Sequence, residues 1–309
     1  MPVIADPQRT RVPGALQHAV LLRRPGTVPD SAFCDGPGSA VQRCTLHRAR
    51  DTHSKERPMT TRSKTIAAFV AASTVLLAVP AAAMDGEILI DQAKVNAGAI
   101  TQGDAPGFPA TLSRPGRYKL TGNLKVPAGK NGIEVAQHDV TIDLNGFTIS
   151  SNPPGEAPTA VDAQDVSGLR VTNGTITGFF YAIVTGELGV IEDMRIVSSG
   201  HGVALEKGSR IRNSTIANGS AAGITSCKQC LIEQNVVTGN GLSGISVAGG
   251  SVLGNVIAGN GDYGLVSSTG DAIWAGYGNN LLFGNNGGNA QVFGPAFQLH
   301  PNVCQPACP

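Results

Sequence analysis

The chain has 309 residues, 40 of them Gly, with 15% charged and 5% aromatic residues and a formal net charge of +1. So many glycines and so few charges exclude a protein of long solvated helices and suit short strands joined by tight turns, an all-β class. The near-neutral total hides a division, because residues 1–58 hold nine Lys/Arg against five Asp/Glu.

Residues 1–58 are Pro- and Arg-rich and carry no helical or strand periodicity. Behind them, Met59 opens a basic stretch with Arg62 and Lys64, an apolar run from Thr65 to Val79, and the small residues Ala81, Ala82 and Ala83. That order is the order of a signal peptide, residues 59–83, with cleavage expected after Ala83. The run is shorter than the roughly 20 apolar residues of a membrane span, which makes an anchor the weaker reading. An export signal does not tolerate a long upstream arm, so residues 1–58 read as a non-translated or disordered extension. The rival is a basic arm for nucleic acid. Residues 84–309 carry 12 Lys/Arg and 17 Asp/Glu, a formal charge of −5. This argues against nucleic acid as a partner and, outside local basic patches, against anionic polysaccharide. No integral membrane segment remains after cleavage.

The segment Ile88 to Gly98 has the apolar spacing and terminal Gly of a short helix, suited to covering the first coil of whatever follows. After a Pro/Gly-rich connection, Arg117 to Val126 alternates as one strand. From about residue 132 to 290 the chain repeats. Ile133, Val161, Ile183, Val203, Ile224, Ile245 and Leu265 form one apolar series, and Ile149, Ile176, Ile196, Ile216, Val237 and Ile257 a second, both spaced mostly by 20 to 22 residues. Two series with one period are what stacked solenoid coils require. Asn218-Gly219, Asn240-Gly241 and Asn260-Gly261 are expected at equivalent corners, where Asn and Gly tolerate positive φ. Asn173, Asp193 and Asn213 stand three residues before their anchors, and Asn235 and Asn255 two before, so amide ladders are expected in two segments.

Pro115-Gly-Arg-Tyr-Lys-Leu-Thr-Gly-Asn-Leu124, then Val140-Thr-Ile-Asp-Leu-Asn-Gly-Phe-Thr-Ile149 and Asn-rich coils, resembles the bacterial secreted right-handed parallel β-helix repeat proteins over roughly residues 86–309. The resemblance implies an all-β, right-handed parallel β-helix with a short N-terminal capping helix. Pectate lyases, uronan epimerases and copper-accessory proteins of nitrous oxide reduction share that architecture, and fold alone does not choose among them.

Residue chemistry narrows the choice only a little. His138, His201 and His300 are far apart in sequence, with no His-x-His or Met-rich cluster, which disfavours copper. Ca2+ would need several convergent carboxylates. Only Glu134 and Asp162 are acidic in the outward column that follows the first anchors, so solvated surface charges are the first reading and a shared cation the alternative. No metal site or other cofactor is expected. Four residues before the second anchors stand Glu192, Arg212 and Glu233, read as an outward ion ladder or, failing that, as a sugar-binding face. The interval from Asn255 to Asn285 is 30 residues where coils need about 20. Some ten residues of Asp271 to Gly278 should therefore bulge, and their Trp274 and Tyr277 read as a seal on the last coil or as glycan anchors. Cys227, Cys230, Cys304 and Cys308 allow three pairings. Two local bridges are favoured, because one pair is confined to a single coil and the other to the tail.

The expected protein is one secreted or periplasmic β-helix domain, residues 84–309, whose partner is an extended polysaccharide or cell-surface glycan that it binds or processes. The alternative is a non-catalytic structural or adhesive solenoid. The residues name no reaction.

Overall fold

A computed structural model describes residues 86–152, 157–268 and 274–308. The expected leader and the segment before it lie outside the described residues.

From Ile88 to Gln305 the chain winds as a parallel β-helix, an all-β solenoid of about nine turns. Each coil contributes a strand to three parallel sheets. The first sheet runs from Ala110–Leu112 through Ile133–Val135, Ala157–Ala163, Phe179–Thr185 and His201–Ala204 to Val292–Phe293. The anchors Ile133, Val161, Ile183, Val203, Ile224, Ile245 and Leu265 are successive register partners in it and are fully buried. The second anchor series, from Ile149 to Ile257, stacks in the same way in the third sheet. Burying each such aliphatic side chain is worth about 1.5–3 kcal/mol, and only neighbouring coils supply the apolar surface.

The second sheet lies between the two anchor series. Ile142, Val171, Ile191, Ile211, Ile232, Val252 and Tyr277 form its inward column. It joins the third sheet through a corner at which one residue takes positive φ, successively Asn173, Asp193, Asn213 and Gln234. A bend of one residue leaves almost no gap in the apolar pattern, so the two sheets read as one strand in sequence.

The same corner separates the asparagines. Asn173, Asp193 and Asn213 hold the left-handed corner and are exposed; they form no ladder. The ladder uses the next position, where Asn235, Asn255 and Asn280 are buried. The Asn235 N–H and Nδ2 both donate to Asn255 Oδ1, at 2.9 and 3.1 Å, and Asn255 donates in the same way to Asn280 Oδ1. A second ladder joins Asn240, Asn260 and Asn285. Asn240 and Asn260 are therefore not the positive-φ corner residues expected from their Asn-Gly pairs. Asn218, Gly239 and Gly259 hold that conformation, one residue earlier.

At the N-terminus the helix is shorter than Ile88 to Gly98. Ile88–Ile90 pairs as a strand with Tyr118–Leu120, because its alternating isoleucines complete the second sheet. The helix is Gln92–Ala97, with Asp91 accepting from the Lys94 N–H, Gly98 in the left-handed conformation and Val95 buried in the core. Arg117 to Val126 is likewise two strands, Gly116–Leu120 and Leu124–Pro127, in different sheets. The coils begin before residue 132, since Ala110–Leu112 already pairs with Ile133–Val135.

Candidate functional site

The outward face of the first sheet carries a groove. One depression of about 720 Å³ is lined by residues that include Thr159, Asp162, Asp165, Phe180, Tyr181 and Glu206. A second, of about 520 Å³, continues from Asp162 and Asp165 to Glu134 and His138. The strands Ala157–Ala163 and Phe179–Thr185 form its floor, and the turns that follow the first-sheet strands raise Asp165 and Glu206 along one wall. That wall depends on close backbone approach at Gly186, where a Cβ would stand 1.9 Å from the Val166 carbonyl oxygen.

Two residues before the anchors, Thr159, Tyr181 and His201 are register partners on successive coils. Adjacent rungs are separated by about 4.8 Å, close to the spacing at which flat rings stack. Tyr181 and His201 do so, with centroids 4.7 Å apart and planes 13° from parallel. Phe180, half exposed, stands edge-on to Tyr181 at 5.0 Å and to His201 at 5.5 Å. Burial lowers the His201 pKa below the ordinary 6.5, and its Nδ1 is buried without a hydrogen-bond partner. Where the two depressions meet, Asp162 Oδ2 accepts from Asn131 Nδ2 at 3.2 Å, and Glu134 is its register neighbour. Aromatic faces beside carboxylates offer apolar contact to sugar C–H faces and acceptors to hydroxyl or ammonium groups.

Of the residues singled out in the sequence, Glu134 and Asp162 fall in this groove. Glu192, Arg212 and Glu233 are register neighbours in the second sheet, outside it. Their pairing differs from the expected ladder. Glu192, only 3% exposed, is held between Arg170 and Arg212, the latter at 2.7 Å, whereas Glu233 pairs with Arg210 at 3.3 Å. The cluster is therefore a buried carboxylate under two arginines, not an arginine between two acids.

Tyr277 is fully buried in Ala275–Gly278, a strand in register with Gly250 to Leu253, so it offers no ring face to a glycan. The expected ten-residue bulge included this strand because Asn255 was matched to Asn285; its ladder partner is Asn280, 25 residues on. Residues 271–273 of that segment lie outside the described residues. Trp274 is 49% exposed and stacked on the exposed Phe297 at 4.3 Å, outside the core rather than sealing it. Cys227 bonds Cys230 and Cys304 bonds Cys308, the two local bridges.

Metal donors do not converge. No three His, Cys, Asp or Glu side chains are grouped to hold an ion among the described residues. His138 and His300 are exposed at separate places, and Met194 is 2% exposed in the core.

Phe180, Tyr181, Asp165 and Glu206 were not singled out from sequence, and His201 was weighed only as a metal donor. Their signal was present: Phe179-Phe180-Tyr181 is an aromatic run in an aromatic-poor chain, and the register that aligned the anchors also aligns Tyr181 with His201.

A family model described as periplasmic copper-binding protein (NosD) matches residues 119–293. No curated protein matches the chain. Among solved structures, the Dettilon tailspike protein (gp208) aligns at 20% identity and TM-score 0.44 over 57% of this chain, which spans 42% of the tailspike chain. The Azotobacter vinelandii mannuronan C-5 epimerase AlgE4 A-module aligns at 17% identity and TM-score 0.44, over 70% of this chain and 74% of the module. No helix among the described residues is long and apolar enough to cross a membrane.

Proposed function

The chain belongs to the NosD family of periplasmic copper-binding proteins, and from that premise we propose that it is an exported β-helix that binds an extended glycan along the groove of its first sheet. The observation that carries this reading is the pair Phe180 and Tyr181 set among Asp162, Asp165 and Glu206 in one depression, with His201 stacked on Tyr181 behind them on the next coil. A solenoid groove is long and straight, and about 720 Å³ joined to about 520 Å³ matches a chain of sugar rings better than a single small molecule. The export signal read at residues 59–83 agrees with a partner outside the cytoplasm.

Copper is implied by the family's name, and the residues here do not fit it. A copper site needs convergent imidazole, thiolate or thioether donors. The three described histidines stand apart, the four described cysteines are paired in disulfides and Met194 is buried among aliphatic side chains. No step of the proposed function runs through copper.

Isothermal titration of the purified protein against a panel of oligosaccharides tests the reading, with Tyr181→Ala as the comparison. Binding to at least one glycan, lost in a Tyr181→Ala protein of normal circular dichroism, is the expected result. A folded wild type that binds none of the panel would overturn it and leave the non-catalytic structural solenoid.

A further inference from the structure

We infer that the groove selects an amino-bearing, cationic glycan over neutral and uronate chains. The inference rests on the glycan reading above and adds the chemical class. Among the described residues, every Asp, Glu, Lys or Arg lining the two depressions is acidic: Glu134, Asp162, Asp165 and Glu206. A uronate chain needs cations for its carboxylates, usually the paired donors of Arg, and here it would bring like charge against like. Lys228 enters only in the smaller depression of about 300 Å³ beyond Glu206. Arg170, Arg210 and Arg212 lie in the second sheet, outside the groove, where they pair with Glu192 and Glu233.

The aromatic part of the groove points the same way. An ammonium group over a Tyr or Phe face is attracted by the ring quadrupole, and Phe180 and Tyr181 line the depression that holds Asp162, Asp165 and Glu206. A 2-amino sugar presents a ring C–H face to an aromatic and an equatorial ammonium to an acceptor, so one residue uses both features. Concave walls of one sign concentrate the field inside them, which strengthens selection by charge.

The test uses hexamers of β-1,4-linked glucosamine, β-1,4-linked glucose and α-1,4-linked galacturonate, titrated into the protein in mildly acidic buffer of low ionic strength. Glucosamine and glucose differ at C2 by ammonium against hydroxyl. The expected result is glucosamine hexamer bound roughly tenfold more tightly than glucose hexamer, no binding of galacturonate, and a preference that shrinks as salt is added. In Asp165→Asn/Glu206→Gln, both at exposed turn positions, glucose binding should persist while the preference for glucosamine falls. Adding Asp162→Asn should remove it. Equal binding of glucosamine and glucose, tighter binding of galacturonate, or a preference that survives the triple variant overturns this inference while the glycan reading stands. Binding of none of the three by folded protein overturns this inference, and the glycan reading falls with it when the wider oligosaccharide panel also fails to bind.

Discussion

The imidazole of His201 lies face to face on the phenol ring of Tyr181, one coil apart, at a centroid distance of 4.7 Å. Burial holds the imidazole below its ordinary pKa of 6.5, because a charged ring would lose hydration that no partner at Nδ1 replaces. The unfolded chain therefore takes up this proton first as pH falls. Above about 6.5 the residue adds no pH dependence, and below it stability is lost until the folded ring also protonates. The melting temperature should drop as the pH falls below about 6.5, and that of His201→Phe, which keeps a flat ring in the stack, should drop less. Equal slopes in the two proteins would show that the loss comes from other groups.

Glu192 gives a second prediction. Arg170 and Arg212 are each partly exposed, at 47% and 38%, while the carboxylate between them is 3% exposed. Removing one arginine leaves the other in place, so Arg212→Ala should cost about 1 kcal/mol. Removing both strands a buried charge, and Arg170→Ala/Arg212→Ala should cost about 3–5 kcal/mol, more than the sum of the single changes. Glu233 is less buried and pairs with Arg210; Arg210→Ala should cost less than about 1 kcal/mol. Urea denaturation of the wild type, Arg170→Ala, Arg212→Ala, the double variant and Arg210→Ala measures these differences, and strict additivity of the first two changes would contradict the shared role of Glu192.

The asparagines separate by position rather than by type. Asn255 Oδ1 receives two bonds from Asn235, and Asn255 Nδ2 donates to the Ile232 carbonyl. Asn255→Ala leaves these groups buried and unpaired and should cost about 3 kcal/mol. Asn213, at φ 49°, is an exposed corner, where Gly takes the same conformation; Asn213→Gly should change stability by less than about 1 kcal/mol. Thermal melts that ranked the two alike would mean that the ladder adds nothing beyond the turn.

What was legible in the sequence followed from how strongly each feature repeats. The inward anchors from Ile133 to Leu265 could be aligned residue by residue, because every coil must bury an aliphatic side chain there. The second and third sheets merged because a single left-handed residue, such as Asp193, turns the chain without interrupting the apolar pattern. The same one-residue difference split the expected ladder into two segments, and only the segment of Asn235 is an interior amide ladder, since Asn173 is a corner. Of the groove, only Glu134 and Asp162 were found, since they follow the anchors directly. Tyr181 and His201 occupy a column that is otherwise Thr159, Ala222 and Ser243, so their meeting is local to two coils and periodicity does not announce it.

Tyr277 and Trp274, three residues apart, should behave in opposite ways. Tyr277 continues the inward column after Val252 and is fully buried. Its ring fills space that two neighbouring coils cannot close, so Tyr277→Ala should cost about 3–5 kcal/mol. Trp274 instead rests on Phe297 with one side open to solvent, and both rings are about half exposed. An offset aromatic pair of this kind is worth about 0.5–1.5 kcal/mol, and Trp274→Ala should lose no more than that. Neither residue lines the groove, so a folded Trp274→Ala protein should bind glycan as the wild type does. Melting curves together with one oligosaccharide titration of each variant separate the cases. A large stability loss in Trp274→Ala would restore Trp274 as the seal of the last coils, and a loss of binding at unchanged stability would move the glycan from the first sheet to the Trp274–Phe297 pair.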